Sequence, residues 1–214
     1  MNRNLVLGSV PLGSEAFAIA EDFINIDKSI LYIACDDREI FYVKSKLKWL
    51  LPKTEILIYR SWDQIPYDNV SPSKEIQSER IKTLYNLSNN NKKLIITSVN
   101  AIIQKTINKE FLNTNFIEIF INQKIDFNSL IFKLLSLGYE RTSVVRDKTE
   151  FAIRGSIIDI FIVDHEHPIR IDFFDNKIES IYSFNHITQK RINKLNNKKI
   201  IIYTSSELLL NEGS

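Results

Sequence analysis

The sequence predicts an α/β chain in two parts: a parallel sheet flanked by helices, then an α+β module whose sheet is mainly antiparallel. Three observations predict this. In the first half, short and continuously apolar runs alternate with amphipathic stretches, the pattern of strands buried on both faces. After residue 140 the pattern changes to alternating strands closed by tight turns. The chain has 214 residues, 44% hydrophobic and 25% charged, which is long and apolar enough to bury a core without disulfide or metal staples.

The elements follow in order. Residues 14–24 form a helix with Ala16, Phe17, Ala20 and Ile24 on one side. Residues 29–34 (SILYIA) form a buried strand. Residues 36–51 form an amphipathic helix with Ile40, Val43, Leu47 and Leu50 at helical spacing, stopped by Pro52. Residues 55–59 (EILIY) form a second strand. After an irregular segment, Ser71 and Pro72 start a helix as N-cap and first helical residue, and this helix runs to Leu87 with Ile81, Leu84 and Tyr85 clustered. The polar tract 88–93 turns the chain into a third buried strand, 94–98 (LIITS), and a short helix opens at Ala101. Residues 116–121 form a strand, and 127–137 a helix capped by Gly138. Strands are expected over 143–147, 150–163, 169–174 and 177–184, with Asp175-Asn176 as a hairpin turn.

Composition excludes several function classes. Lys plus Arg number 28 against 26 for Asp plus Glu, a net charge of +2, too balanced for affinity built on phosphate neutralisation. A single cysteine, Cys35, rules out a disulfide framework and a multi-cysteine zinc site. The opening segment meets Glu15, Glu21 and Asp22 too soon for a secretory signal, and no window approaches 18 uncharged apolar residues. A reducing, cytoplasmic location and no membrane contact are expected.

Few side chains carry chemistry. Residues 8–15 (GSVPLGSE) keep the glycine spacing of a phosphate-binding loop, with Gly8 and Gly13 separated by four residues before a helix. The lysine position holds Ser14 and the Mg²⁺-ligand position holds Glu15, and a carboxylate there repels phosphate. On spacing alone, a chance glycine pair in a turn stays open beside a degenerate loop. Both readings predict poor ATP binding. His165 and His167 (HEHP) adjoin Pro168 between strands without a third ligand and read as a surface loop, and His186 stands alone. Cys35 precedes Asp36 and Asp37, whose charge raises a thiol pKa and argues against a nucleophile.

Strand alternation is more informative. In 169–174 (IRIDFF), Ile169, Ile171 and Phe173 face the core, while Arg170, Asp172 and Phe174 face outward. In 151–156 (FAIRGS), Phe151 and Ile153 face inward and Ala152, Arg154 and Ser156 outward, with Gly155 marking a bulge or bend. Two arginines and a phenylalanine on one outward face have the composition of an interface hot spot. A solvated face with Arg–Asp pairing stays open beside it on pattern alone.

Four segments carry a resemblance. They are 62–87 (WDQIPYDNVSPSKEIQSERIKTLYNL), 96–104 (ITSVNAIIQ), 138–161 (GYERTSVVRDKTEFAIRGSIIDIF) and 169–189 (IRIDFFDNKIESIYSFNHITQ). With them the chain resembles the N-terminal UvrB-like region of bacterial transcription-repair coupling factor (Mfd), a DNA-repair family. UvrB shares the layout, but keeps an intact phosphate loop and has a damage-probing hairpin for which 62–72 is too short.

The resemblance implies a degenerate helicase-like domain over 1–115, like UvrB domain 1a. It implies a UvrA-binding α+β module over 116–203, like UvrB domain 2, and the start of a returning segment over 204–214. The abrupt end gives the expectation of a truncated chain or fragment. It implies no ATPase activity for this chain, no cofactor and no metal. The partner is UvrA, with RNA polymerase and DNA engaged only through domains absent here. The UvrA-contacting positions fall on Arg154, Arg170 and Phe174, with Asp172 orienting Arg170. The function implied is recruitment of nucleotide excision repair to stalled transcription. The alternative is a UvrB-like ATPase or helicase fragment that binds nucleotide and damaged DNA.

Overall fold

The computed structural model describes residues 8, 11, 13–64, 72–87, 91–195 and 199–207. In chain order the elements are α1 (Glu15–Asn25), β1 (Ile30–Ala34), α2 (Asp37–Leu50), β2 (Ile56–Tyr59), α3 (Lys74–Leu87), β3 (Leu94–Ser98), α4 (Val99–Ile102) and α5 (Lys109–Thr114). They continue with β4 (Phe116–Ile119), α6 (Phe127–Ser136), β5 (Glu140–Arg141), β6 (Glu150–Arg154), β7 (Ile157–Ile160), β8 (Ile169–Phe174), β9 (Lys177–Phe184), β10 (Arg191–Lys194) and β11 (Ile200–Tyr203). These elements gather into two compact units, residues 1–61 with 89–105, and residues 62–88 with 106–214.

The first unit holds a parallel sheet of order β1-β3-β2. The central strand β3 is buried along its whole length, as its unbroken apolar run requires. Asp36 caps α2 by accepting the Glu39 N–H at 2.9 Å, and Ile40, Val43 and Leu47 then fall on the buried stripe. Leu47 is fully enclosed, so its truncation to Ala would cost about 2–5 kcal/mol. Two expectations fail here. The buried face of α1 is Ala16, Ile19 and Ala20, with Phe17 and Ile24 exposed; two alanines let the helix lie close to α2 and set its rotation. Strand β1 lies at the sheet edge and is covered on one face only, leaving Leu31 and Ile33 exposed.

The second unit holds a six-stranded sheet of order β10-β9-β8-β7-β6-β5, antiparallel except for the β5–β6 pair. Its inner face, with Phe151, Ile158, Ile169, Ile171 and Phe173, joins Leu130 and Leu134 of α6 in one core. Ile117 and Ile119 of β4 and Ile200 and Ile202 of β11, a separate antiparallel pair, close that core. Asp126 caps α6 by accepting the Ser129 N–H at 2.7 Å, and Gly138 follows its end at φ +82°, as the capping reading requires. Ile81 and Tyr85 of α3 pack with Leu112 of α5 and Val163.

Several boundaries differ from expectation, each for a physical reason. Residues 143–147 form no strand, because the Glu150 carboxylate accepts the N–H groups of Arg146 and Asp147 and curls the chain. The expected strand over 150–163 is a hairpin of β6 and β7, turning at Gly155 with φ +60°. Helix α3 starts at Lys74 rather than Pro72, and the expected Ser71 cap lies outside the described residues. The short helix expected from Ala101 begins earlier, at Val99, where Ser98 caps it. Neither α5 nor strands β10 and β11 stood out in the sequence, since polar Arg191–Lys194 has no apolar alternation to read.

Candidate docking surface

The register of β6, β7, β8 and β9 fixes which side chains stand together on the outer face. Ala152, Asp159, Arg170 and Tyr182 lie in one cross-strand row, and Arg154, Ile157, Asp172 and Ser180 in the next. Phe174 follows Asp172 two residues on, at the end of β8, and is 68% exposed. The three residues singled out in the sequence therefore share one face. Arg154 is exposed and its guanidinium makes no hydrogen bond or ion pair among the described residues.

Arg170 is in a different state. Its Nε donates to Asp159 Oδ1 at 2.5 Å and its Nη2 to Asp159 Oδ2 at 2.7 Å, a two-pronged ion pair across the β7–β8 register. Nη2 also donates to Gln189 Oε1 at 3.1 Å, and the guanidinium lies 4.6 Å from the centre of the Phe184 ring. The Asp159 hydrogen bonds, helped by its charge, hold the Arg170 pKa above its ordinary value against the opposing effect of burial. The side chains are 15% and 2% exposed, so this is a largely desolvated pair.

Asp172 does not orient Arg170. It accepts the Ser180 hydroxyl at 2.7 Å, and its Oδ1 is buried without a partner. Asp159 takes the orienting role because it sits directly opposite Arg170, whereas Asp172 is two residues along the same strand. Ala152 stands in the outer row as expected but is covered there, buried with Val145 and Phe161. The loop 185–190 folds over this row: its Gln189 reaches Arg170, and the His186 ring lies 6.0 Å from that of Phe161. Asp159 and Gln189 escaped sequence reasoning. Asp159 becomes legible once Gly155 is read as a hairpin turn, which places it at an outward position facing Arg170.

The glycine-spaced loop has another fate. Gly13, at φ +93°, donates its N–H to Glu15 Oε2 at 2.7 Å, so this donor is already taken by a carboxylate of α1. Lys46 Nζ donates to the Gly13 carbonyl at 3.3 Å and to the Tyr42 hydroxyl at 2.6 Å. A Cβ on Gly13 would meet Lys46 Nζ at 1.9 Å. Ser14 bonds back to the Pro11 carbonyl, while Gly8 is exposed and would have open space around a Cβ. Residues 9, 10 and 12 of this loop lie outside the described residues.

Cys35 is exposed, and its thiol is pushed above the ordinary range by its contact with the Glu39 carboxylate. His165 and His167 border an open pocket of about 460 Å³ with Asp164, Glu166, Lys199 and Tyr203. Among the described residues no group of three or more His, Cys, Asp or Glu could hold a metal ion, and no helix is long and apolar enough to cross a membrane.

The outer face of this antiparallel sheet thus brings Arg154, Arg170 and Phe174 together. Residues 117–207 match the UvrB interaction domain family, which spans the described part of this sheet and β4 and β11. The whole chain is similar to transcription-repair-coupling factors. It is 26% identical over 200 residues to that of Haemophilus influenzae (94% of this chain, 17% of the relative). It is 31% identical over 210 residues to that of Staphylococcus aureus strain MSSA476 (98% of this chain, 18% of the relative). Against that of Escherichia coli K12 it is 32% identical over 134 residues (63% of this chain, 12% of the relative). The chain carries a UvrB interaction domain over residues 117–207 and is similar over nearly its whole length to transcription-repair-coupling factors. It spans under a fifth of the length of the relatives named here.

Proposed function

We propose that this chain is a non-catalytic module that docks on UvrA through the outer face of β6, β7 and β8, and so brings nucleotide excision repair to stalled transcription in the cytoplasm. The observation that carries the reading is the pairing of an unengaged guanidinium, Arg154, with a 68% exposed ring, Phe174, on one face of a UvrB interaction domain. Arg154 offers five donors in a planar fork to carboxylates of a partner, and Phe174 offers apolar area that gains by leaving water. Arg170 completes the patch from its fixed position beside them.

On this reading residues 116–203 do the docking and residues 1–115 are a scaffold without nucleotide chemistry, needing no cofactor or metal. The Gly13–Glu15 contact supports that part, because it leaves the Gly13 N–H engaged by a carboxylate of the chain itself. Contacts to RNA polymerase and DNA belong to other domains of the coupling factors.

The test is titration of purified UvrA with wild-type chain and with the Arg154→Ala, Phe174→Ala double variant. The double variant is expected to bind roughly 1–3 kcal/mol more weakly, as for interface anchors. Equal affinity of the two proteins would remove the proposal.

A further inference from the structure

The outer face carries one prominent feature that neither the arginines nor Phe174 explain. The loop 185–190 raises Ile187 to 79% exposure. A single exposed isoleucine on a loose loop would be unremarkable. This loop is tightly built. Asn185 Oδ1 accepts the N–H groups of Ile187 at 2.9 Å and Thr188 at 2.8 Å. The Gln189 N–H donates to the Asn185 carbonyl at 2.8 Å, and the Asn185 N–H to the Lys190 carbonyl at 2.9 Å. Gln189 holds a left-handed φ of +58°, and its Nε2 donates to the His186 carbonyl at 2.8 Å.

That geometry turns the Gln189 Oε1 atom onto Arg170 Nη2, 3.1 Å away. Arg170 is itself fixed by Asp159, so the loop is moored to the sheet through a guanidinium that cannot swing. Arg170 consequently has few donors left for a partner, since Asp159 and Gln189 use both its Nε and Nη2 sides. Gln189 ties the loop to the Arg170 end of β8, Phe174 lies at the other end, and the Arg154–Asp172 row lies between. A rigid loop presents an apolar contact without the ordering cost a mobile one would incur on binding.

We propose that Ile187 is a second apolar anchor of the docking face and that Gln189, acting through Arg170, is the positioning residue that holds it there. The occupant is the same UvrA surface, so the inference rests on the function proposed above. It extends the patch along the outer face, and it divides the labour: Arg154 binds, while Arg170 holds the platform.

The experiment is calorimetric titration of UvrA with the full chain carrying Ile187→Ala, Gln189→Ala, Gln189→Glu, or both alanine changes, with Arg154→Ala as reference and a thermal melt of each protein. Ile187→Ala is expected to weaken binding about 5–10-fold and Gln189→Ala about 3–5-fold, with melting unchanged, in the range of secondary interface contacts. Gln189→Glu keeps the acceptor for Arg170 but loses the Nε2 donor to the His186 carbonyl, and is expected to fall between wild type and Gln189→Ala. The double alanine change is expected to fall short of the product of the singles, because both act on one contact. If Arg154→Ala weakens binding while Ile187→Ala and Gln189→Ala do not, the inference is overturned and the docking function stands. If all three bind like wild type, the docking function itself is overturned.

Discussion

The Gly13–Glu15 turn and the outer face of the six-stranded sheet both hold donors suited to an anion, yet they use them in opposite ways. At the turn, Gly13 N–H already meets Glu15, and Lys46 is drawn onto the Gly13 carbonyl and Tyr42. On the sheet, Arg154 is left without a partner among the described residues while its neighbour Arg170 is fully engaged. Resemblance to a binding motif therefore says little until the donors are traced to their acceptors. A site answers to a partner only where the chain has not answered for it.

The largest effect that would sharpen this contrast concerns stability. Arg170→Ala leaves Asp159 buried without its cation, and should lower unfolding free energy by roughly 2–4 kcal/mol in urea titration, near the cost of breaking a desolvated pair. Arg154→Ala should leave stability within about 0.5 kcal/mol of wild type, since it breaks no internal contact. If the two variants unfold alike, the distinction between engaged and free arginines is lost. For the same reason Arg170→Ala is a poor probe of binding, because its effect on the fold would be read as an effect on the interface.

A smaller effect tests the first unit. Glu39 accepts hydrogen bonds from the Tyr32 hydroxyl and the Cys35 N–H, and the Tyr32 bond chiefly holds its pKa below the ordinary 4.5. A depressed carboxylate pKa contributes stability that is fully present above the unfolded value and is lost as pH falls through the folded one. Tyr32→Phe should therefore cost about 1 kcal/mol at neutral pH, and the gap to wild type should narrow as pH drops below about 4. A gap independent of pH in urea titrations would contradict the assignment.

The smallest effect is at the turn itself. Glu15→Gln should lower stability by about 0.3–1 kcal/mol through the lost charge at the start of α1. Calorimetry of wild-type chain with Mg-ATP should give no binding heat. A clear binding isotherm would break the comparison and favour the nucleotide-binding alternative.

Much of the fold was legible because its strongest signals are local. The strands β1, β2, β3 and β8, the Gly138 stop and the Asp175 turn follow from residue type and spacing alone. Residues 143–147 misled because their folding depends on Glu150, a side chain from beyond the segment. The shared face of Arg154, Arg170 and Phe174 was legible from period-two alternation. Asp159 was not, because its partner is chosen by strand register, which a single strand does not show. The buried fork of Arg80 on Glu207 was hidden for the same reason, the two residues being far apart in the chain.

The most direct measurement is titration of UvrA with wild-type chain and with Arg154→Glu, a charge reversal at an arginine whose guanidinium has no partner among the described residues. The account predicts at least about a tenfold loss of affinity with an unchanged melting temperature, as for a charged interface anchor. Equal affinity for the two proteins would contradict it.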